Sequence, residues 1–289
     1  MDYYQIGKVI RELRVQQEFT QKELASTTCT QGQLSKIEKG EVIPTASTLY
    51  ELAQRLGVST DFIFKKASAS RADYVSQTFE VVRQLIRERN YEQVSSILRA
   101  ERNNEQFTEP RAKQFMMWHQ GIVKYYVERD VEAAISLLRE SLHVDDRGPK
   151  SYSERTVEIL NSLAIIQMEE ERFEESIHTF KECLMLLTKA PHLEDVHIKI
   201  RVLYNLAKSC YRSQRFAEAI QFCNQGITAC KREETMYLLG ELYVQLALSL
   251  EETGKMTKAK LAFEKALYVF TLQDNRAFLE VVQKRMQES

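Results

Sequence analysis

Two glutamines and a lysine, Gln31, Gln33 and Lys36, stand at the head of a short predicted helix and one turn into it. A glutamine amide carries a donor and an acceptor on one plane and can pair bidentately with adenine. A lysine ammonium can donate to O6 and N7 of guanine. The surrounding stretch, Thr20 to Gly40, reads as two short helices with a tight turn at Thr27-Thr28-Cys29. Polar side chains opening the second of two such helices are how a protein offers hydrogen-bonding groups to base edges in a DNA major groove.

Other chemistry is not indicated. The chain shows no Ser/His/Asp grouping, phosphate-binding glycine loop or paired carboxylates, so no enzyme and no cofactor are expected. His192 and His197 bracket four residues, a spacing that points to loop residues and not to a metal site. The five cysteines (Cys29, Cys183, Cys210, Cys223 and Cys230) show no CxxC spacing, which suits reduced thiols of a cytoplasmic protein. Cys223 and Cys230 are seven apart on one helix face and read as small buried thiols.

The composition bounds the class. The 289 residues suffice for one large or two ordinary domains, and 44% hydrophobic with 28% charged residues is that of a globular chain. Four prolines and nine glycines suit long helices better than a turn-rich β fold. No apolar run is long enough to span a membrane, and the start, Met1-Asp-Tyr-Tyr-Gln-Ile, lacks the features of a secretory signal. Residues 1–66 hold nine Lys/Arg against eight Asp/Glu, so a DNA contact depends on local placement and on doubling by dimerisation.

The head reads as five helices. Ile6, Ile10, Leu13 and Gln17 mark the first by their spacing of three and four. Thr20 caps the second, with Glu23 completing a capping box; Thr30 caps the third, with Gln33 in the reciprocal position. Leu34 and Ile37 face inward and Gly40 stops the helix. Pro44-Thr45 introduces a fourth helix (Leu49, Leu52, Ala53, Leu56) ended by Gly57, and Ser59 caps a fifth with Phe62 and Ile63.

This pattern, over about residues 5–66, resembles the Cro/C1-type repressors called the XRE family. The resemblance implies an ion pair between Arg14 and Glu38. It places Gln31, Gly32 and Lys36 at base edges, with Gly32 unable to read anything and Gln33 available in its stead. It leaves Gln21, Ser35 and Lys39 for phosphate.

From about residue 73 an aromatic or apolar residue recurs three before a small one, at Tyr91, Val131, Phe173, Phe216 and Met256. A period near 40 with two amphipathic helices per unit indicates an α-solenoid of about five helix pairs, within an all-α fold. Residues 275–287 suit a terminal capping helix. The unit from Asn205 through Phe216 resembles a tetratricopeptide repeat, whose usual period is 34; longer helices or loops would supply the surplus. That resemblance implies that the residue eleven before each anchor points into a concave groove: Glu80, Gln120, Ser162 (beside Asn161), Asn205 and Gln245. Such amides can each donate to and accept from one peptide unit. Arg201, four before Asn205 and on the same helix side, could hold a ligand carboxylate, as could Arg87 and Arg89. Trp118 fits repeat core or groove wall. The division expected is a helix-turn-helix domain at 1–66, a linker or linking helix at 67–72, and a regulatory and dimerisation domain at 73–289.

A Cro-like head followed by such repeats resembles the RRNPP family of quorum-sensing regulators of Gram-positive bacteria. The resemblance implies a homodimer, a short signalling peptide in the groove and a palindromic double-stranded operator with half-sites about 34 Å apart. It implies a regulator, with activation as the expected sign. Two other classes stay open at this point: a protein-interaction scaffold that binds no specific DNA, and a regulator triggered by oxidation of Cys210, Cys223 or Cys230.

Overall fold

The computed structural model describes residues 3–144, 154–189 and 195–288. His192 lies outside them. The described residues are helical, with no strand among them. Contacts divide the chain into two compact units, Met1–Asn90 with Asn103–Phe107, and Tyr91–Arg102 with Thr108–Ser289. No helix among the described residues is long and apolar enough to cross a membrane.

The first unit holds α1 (Tyr3–Gln16), α2 (Gln21–Ala25), α3 (Gln31–Glu38), α4 (Ala46–Arg55), α5 (Thr60–Arg87) and a short 3-10 turn (Glu105–Phe107). Helices α2 to α5 start where small hydroxyl residues stand. The hydroxyls of Thr20, Thr30, Thr45 and Ser59 each accept from the backbone N–H three residues on. Each such cap is worth about 1 kcal/mol. At Thr20 the box is complete, because the Glu23 carboxylate accepts from the Thr20 N–H at 2.7 Å. At Thr30 the expected return bond from Gln33 does not form, and the amide is exposed. A neutral amide gains less than a carboxylate from the positive end of a helix.

Gly40 (φ 75°) and Gly57 (φ 65°) take the left-handed turn that lets Glu41 N–H reach back to Lys36 O and Val58 N–H to Ala53 O. The core collects Ile6, Ile10, Leu13, Leu24, Leu34, Ile37, Leu52, Leu56 and Ile63. Phe62, paired with Ile63 in the sequence reading, is exposed. Gly7 lets α1 approach α3: a Cβ there would lie 1.9 Å from the backbone oxygen of Ile37.

The fifth helix runs far beyond its expected end. α5 is 28 residues long and takes in the segment 67–72 and the first helix of the first repeat. No glycine or proline interrupts that stretch, and its Ala, Lys and Arg residues favour helix.

The second unit holds α6 (Tyr91–Ala100), α7 (Pro110–Tyr126), α8 (Val131–Ser141), α9 (Glu154–Glu169), α10 (Phe173–Lys189), α11 (Ile198–Arg212), α12 (Phe216–Arg232), α13 (Leu239–Glu252), α14 (Met256–Leu272) and α15 (Arg276–Glu288). The repeat anchors Tyr91, Val131, Phe173, Phe216 and Met256 are the first residues of α6, α8, α10, α12 and α14. The small residue three further on is buried each time: Val94, Ala134, Ser176, Ala219 and Ala259. Two residues before each anchor the backbone is left-handed, at Arg89, Arg129, Glu171, Gln214 and Gly254. Only the last is glycine, so the sequence does not announce these turns.

Helix length supplies the surplus over a 34-residue period, since α7, α10, α12 and α14 each run 17 residues. Side-chain bonds also join neighbouring repeats, between residues 40 to 45 apart. Tyr125 donates to Glu170 at 2.7 Å, Tyr126 to Glu169 at 3.0 Å, and Arg172 to Glu132 at 2.6 Å. Burial, reinforced by the facing carboxylates, pushes both tyrosine hydroxyls up. The terminal helix α15 packs on α14.

Candidate nucleic-acid interface and ligand groove

In the head, α3 turns Leu34, Ile37 and Glu38 inward and leaves Gln31, Gly32, Gln33, Lys36 and Lys39 exposed, with Ser35 half-buried. That split follows from 3.6 residues per turn. A Cβ on Gly32 would meet nothing within 4 Å.

Beneath this face lies a chain of hydrogen bonds. Arg14 grips the buried Glu38 through Nε to Oε1 at 2.6 Å and Nη2 to Oε2 at 3.0 Å, and donates Nη1 to Phe19 O at 2.8 Å. The expected ion pair is therefore present, and its hydrogen bond holds the guanidinium pKa above its usual value. Glu38 Oε2 also accepts from Gln21 Nε2 at 2.8 Å, and Gln21 Oε1 accepts from Gln31 Nε2 at 2.8 Å. A carboxylate only accepts, so it sets which end of the Gln21 amide faces it. Gln21 in turn sets the orientation of Gln31. Gln31 keeps its carbonyl oxygen and one N–H for an outside partner, the pair that a bidentate contact to adenine requires.

Gln21, expected to meet phosphate, is half-buried and already engaged at both amide atoms. Lys22, missed in the sequence reading, is exposed. With Thr20, Gln21, Ala25, Ser26, Cys29 and Gln31 it lines an open hollow of about 730 Å³. Its only sequence signal was a charge beside a capping residue.

In the second unit the first helices of successive pairs touch one another in the order α7, α9, α11, α13. Their ladder positions meet in part. Asn205 Nδ2 donates to Asn161 Oδ1 at 3.1 Å, and Trp118 Nε1 donates to Ser162 Oγ at 3.0 Å. Trp118 is buried, as expected of core or wall. Asn161 and Asn205 are thus linked and not presented singly, and Ser162 is occupied. Gln120 is half-buried, and Gln245 is buried with its Nε2 lacking a partner.

Arg201 donates to Asp195, so a ligand carboxylate would have to compete for it. Arg87 closes α5 and Arg89 sits in the turn after it, both exposed and both in the first unit, as is the exposed Glu80.

All five cysteines are free thiols. Cys183, Cys210, Cys223 and Cys230 are buried. Burial pushes Cys183 and Cys210 up to about 12 and Cys230 to about 11, and pushes Cys223 up as well. Such groups carry almost no thiolate at neutral pH and are poor redox triggers. His197 caps no amide with its side chain. Its ring lies 3.2 Å from Thr235 Oγ1 and against Tyr237.

Similarity to known proteins agrees with this architecture. The RNPP family C-terminal domain matches residues 80–288, and a helix-turn-helix family matches residues 10–63. Among solved structures, Bacillus thuringiensis PlcR in complex with the peptide PapR7 and DNA is 25% identical. The match covers 96% of this chain and 99% of that one with a TM-score of 0.83. ComR from S. thermophilus, in complex with DNA and its signalling peptide ComS, is 14% identical over 96% of this chain and 97% of its own, with a TM-score of 0.65. The Streptococcus dysgalactiae SHP pheromone receptor Rgg2 is 15% identical over 98% of this chain and 99% of its own, with a TM-score of 0.66. At those last two identities the likeness shows the fold. No curated protein matches the chain. Proteins of this kind are transcription regulators and not enzymes, and with the family domain spanning 80–288 behind a helix-turn-helix head, the chain belongs to the RNPP family.

Proposed function

We propose that this chain is a sequence-specific transcriptional regulator that binds DNA as a homodimer and is gated by a short signalling peptide. The observation that carries the reading is the exposed face of α3: Gln31 held in one orientation through Gln21 and Glu38, with Gln33, Lys36 and Lys39 beside it. Residues 1–66 serve as the DNA-binding domain, 67–72 as the link and 73–289 as the regulatory and dimerisation domain. Gln31, Gln33 and Lys36 read bases, and Ser35 and Lys39 take phosphate with Gln21 behind them. Gly32 leaves room for a base edge.

The peptide lies along Gln120, Asn161, Asn205 and Gln245, with Arg201 meeting a carboxylate. Likeness to a PlcR structure that holds both a peptide and DNA supports a peptide-bound form on the operator, and activation is the sign proposed. The setting is the cytoplasm of a Gram-positive bacterium, with a palindromic operator matching a two-fold dimer. The peptide acts only through its different affinity for two arrangements of the heads. The buried thiols argue against the oxidation-triggered reading.

The test is selection of genomic fragments by the purified protein, with and without a pool of short peptides. A palindromic motif enriched only with peptide is the expected result. Equal enrichment in both arms would remove the gating, and no motif in either would leave a protein-interaction scaffold.

A further inference from the structure

Two polar atoms on α13, four residues apart in sequence, are buried and without a hydrogen-bond partner. They are Glu241 Oε2 and Gln245 Nε2. The residues are four apart, so they share one helix face a turn from each other. A hydrogen bond between an acceptor and a donor at this spacing is ordinary, yet it does not form here. Gln245 is only 7% exposed. Burial raises the Glu241 carboxyl above its usual range. A buried carboxylate oxygen and a buried amide nitrogen each cost free energy when left unmade.

The register locates this pair. Gln245 stands 40 residues after Asn205 and Glu241 40 after Arg201, so the two pairs are equivalent on the adjoining helices α13 and α11. The charge at that register changes sign, from Arg201 to Glu241. The structure supplies Arg201 with its own counterion, Asp195. It gives the Glu241 carboxyl a backbone hydrogen bond and leaves Oε2 without a partner among the described residues.

A ligand that satisfies both atoms must present a cationic donor and an acceptor a few ångströms apart. A neutral internal peptide unit offers N–H and C=O but leaves the carboxylate charge uncompensated. A lysine side chain offers the cation without a carbonyl beside it. The first residue of a peptide offers both, its α-ammonium and its own carbonyl.

We propose that Glu241 and Gln245 form a terminal subsite: Glu241 takes the free α-ammonium of a short peptide and Gln245 donates to the first carbonyl. This rests on the peptide reading above and adds which end of the peptide lies at α13. It predicts a ligand whose amino terminus is unblocked.

The experiment uses full-length protein and two pools of random heptapeptides, one with free amino termini and one Nα-acetylated. Immobilised protein is exposed to each pool, and retained peptides are identified by mass spectrometry. The expected result is that free-amine peptides are retained at least about tenfold better, the scale of one charge-assisted bond. In Glu241→Gln that ratio falls toward one while acetylated peptides are held as before. Equal retention of both pools by the unaltered protein overturns the subsite and leaves the peptide reading standing. Enrichment of lysine or arginine in the acetylated pool, lost in Glu241→Gln, overturns the terminal assignment in favour of a side chain. Retention from neither pool overturns the peptide reading itself. The comparison of pools on the unaltered protein decides the matter even if the variant folds poorly.

Discussion

Gln21 donates its amide to the buried carboxylate of Glu38 at 2.8 Å. Through that bond the ion pair inside the head and the exposed tip of α3 become one hydrogen-bonded unit, because Gln21 accepts from Gln31 with its other amide atom. The stability of the head and the orientation of the Gln31 amide are therefore coupled.

Removal of the guanidinium tests the inner end of that chain. Arg14→Ala leaves the Glu38 carboxylate, with side-chain exposure of only 2%, buried without its counterion and held by Gln21 alone. The expected loss is about 3 kcal/mol. Chemical denaturation followed by circular dichroism would show it as a lower midpoint for the head. Gln21→Ala spares the ion pair and should cost little stability while weakening DNA binding, since Gln31 then rotates freely. Unchanged operator affinity in Gln21→Ala would remove the positioning role.

On the proposed function, the outer face of α3 divides into base-reading and phosphate-holding residues, which two variants separate. Lys36→Ala should cost about 1–3 kcal/mol of operator affinity and relax the preference at one base pair. Lys39→Ala should weaken all sequences alike and lower the salt-dependence slope by about one. Fluorescence anisotropy titrations at several salt concentrations on the selected operator distinguish the two. Identical salt slopes for both variants and the parent would contradict the assignment.

Two glycines of the head should behave in opposite ways. At Gly7 a Cβ would collide with the Ile37 backbone oxygen, so Gly7→Ala must push α1 off α3 and lower the melting temperature markedly. At Gly32 a Cβ meets open space on a helix, so Gly32→Ala should stabilise by about 0.5–1 kcal/mol. Thermal melts of the two variants check both signs.

The thiols make an alkaline prediction. Cys183 and Cys210 are raised to about 12 and Cys230 to about 11, from an ordinary 9.0. A raised folded value favours the neutral thiol in the native state. That contribution is whole below pH 9, where the unfolded chain also stays protonated, and is lost as pH climbs toward 11–12. Melting temperature should fall over that window, and Cys183→Ala should flatten the fall. At pH 7.5 a soluble thiol reagent should label Cys29, which is half-exposed, well before the other four. Rapid labelling of Cys210 or Cys223 in the native protein would revive a redox role.

The local elements were legible in the sequence by itself. The caps at Thr20, Thr30, Thr45 and Ser59 and the stops at Gly40 and Gly57 depend on residues within a few positions of each other, which is the range a sequence pattern encodes. The repeat anchors at Tyr91, Val131, Phe173, Phe216 and Met256 were legible for the same reason, since each opens a helix and recurs at a fixed interval. The Arg14–Glu38 pair came from resemblance, because its partners are 24 residues apart and no local rule joins them.

Only the tertiary structure decided the rest. It carried α5 through the expected linker, where composition permitted both states. It tied Gln21 to Glu38, joined Asn205 to Asn161, and gave Arg201 to Asp195. It left Glu241 and Gln245 each with a buried polar atom unpartnered. Whether a polar side chain is engaged or available depends on which helix packs opposite it. That is set by the burial of apolar faces along the whole array, and not by the residue or its neighbours in sequence.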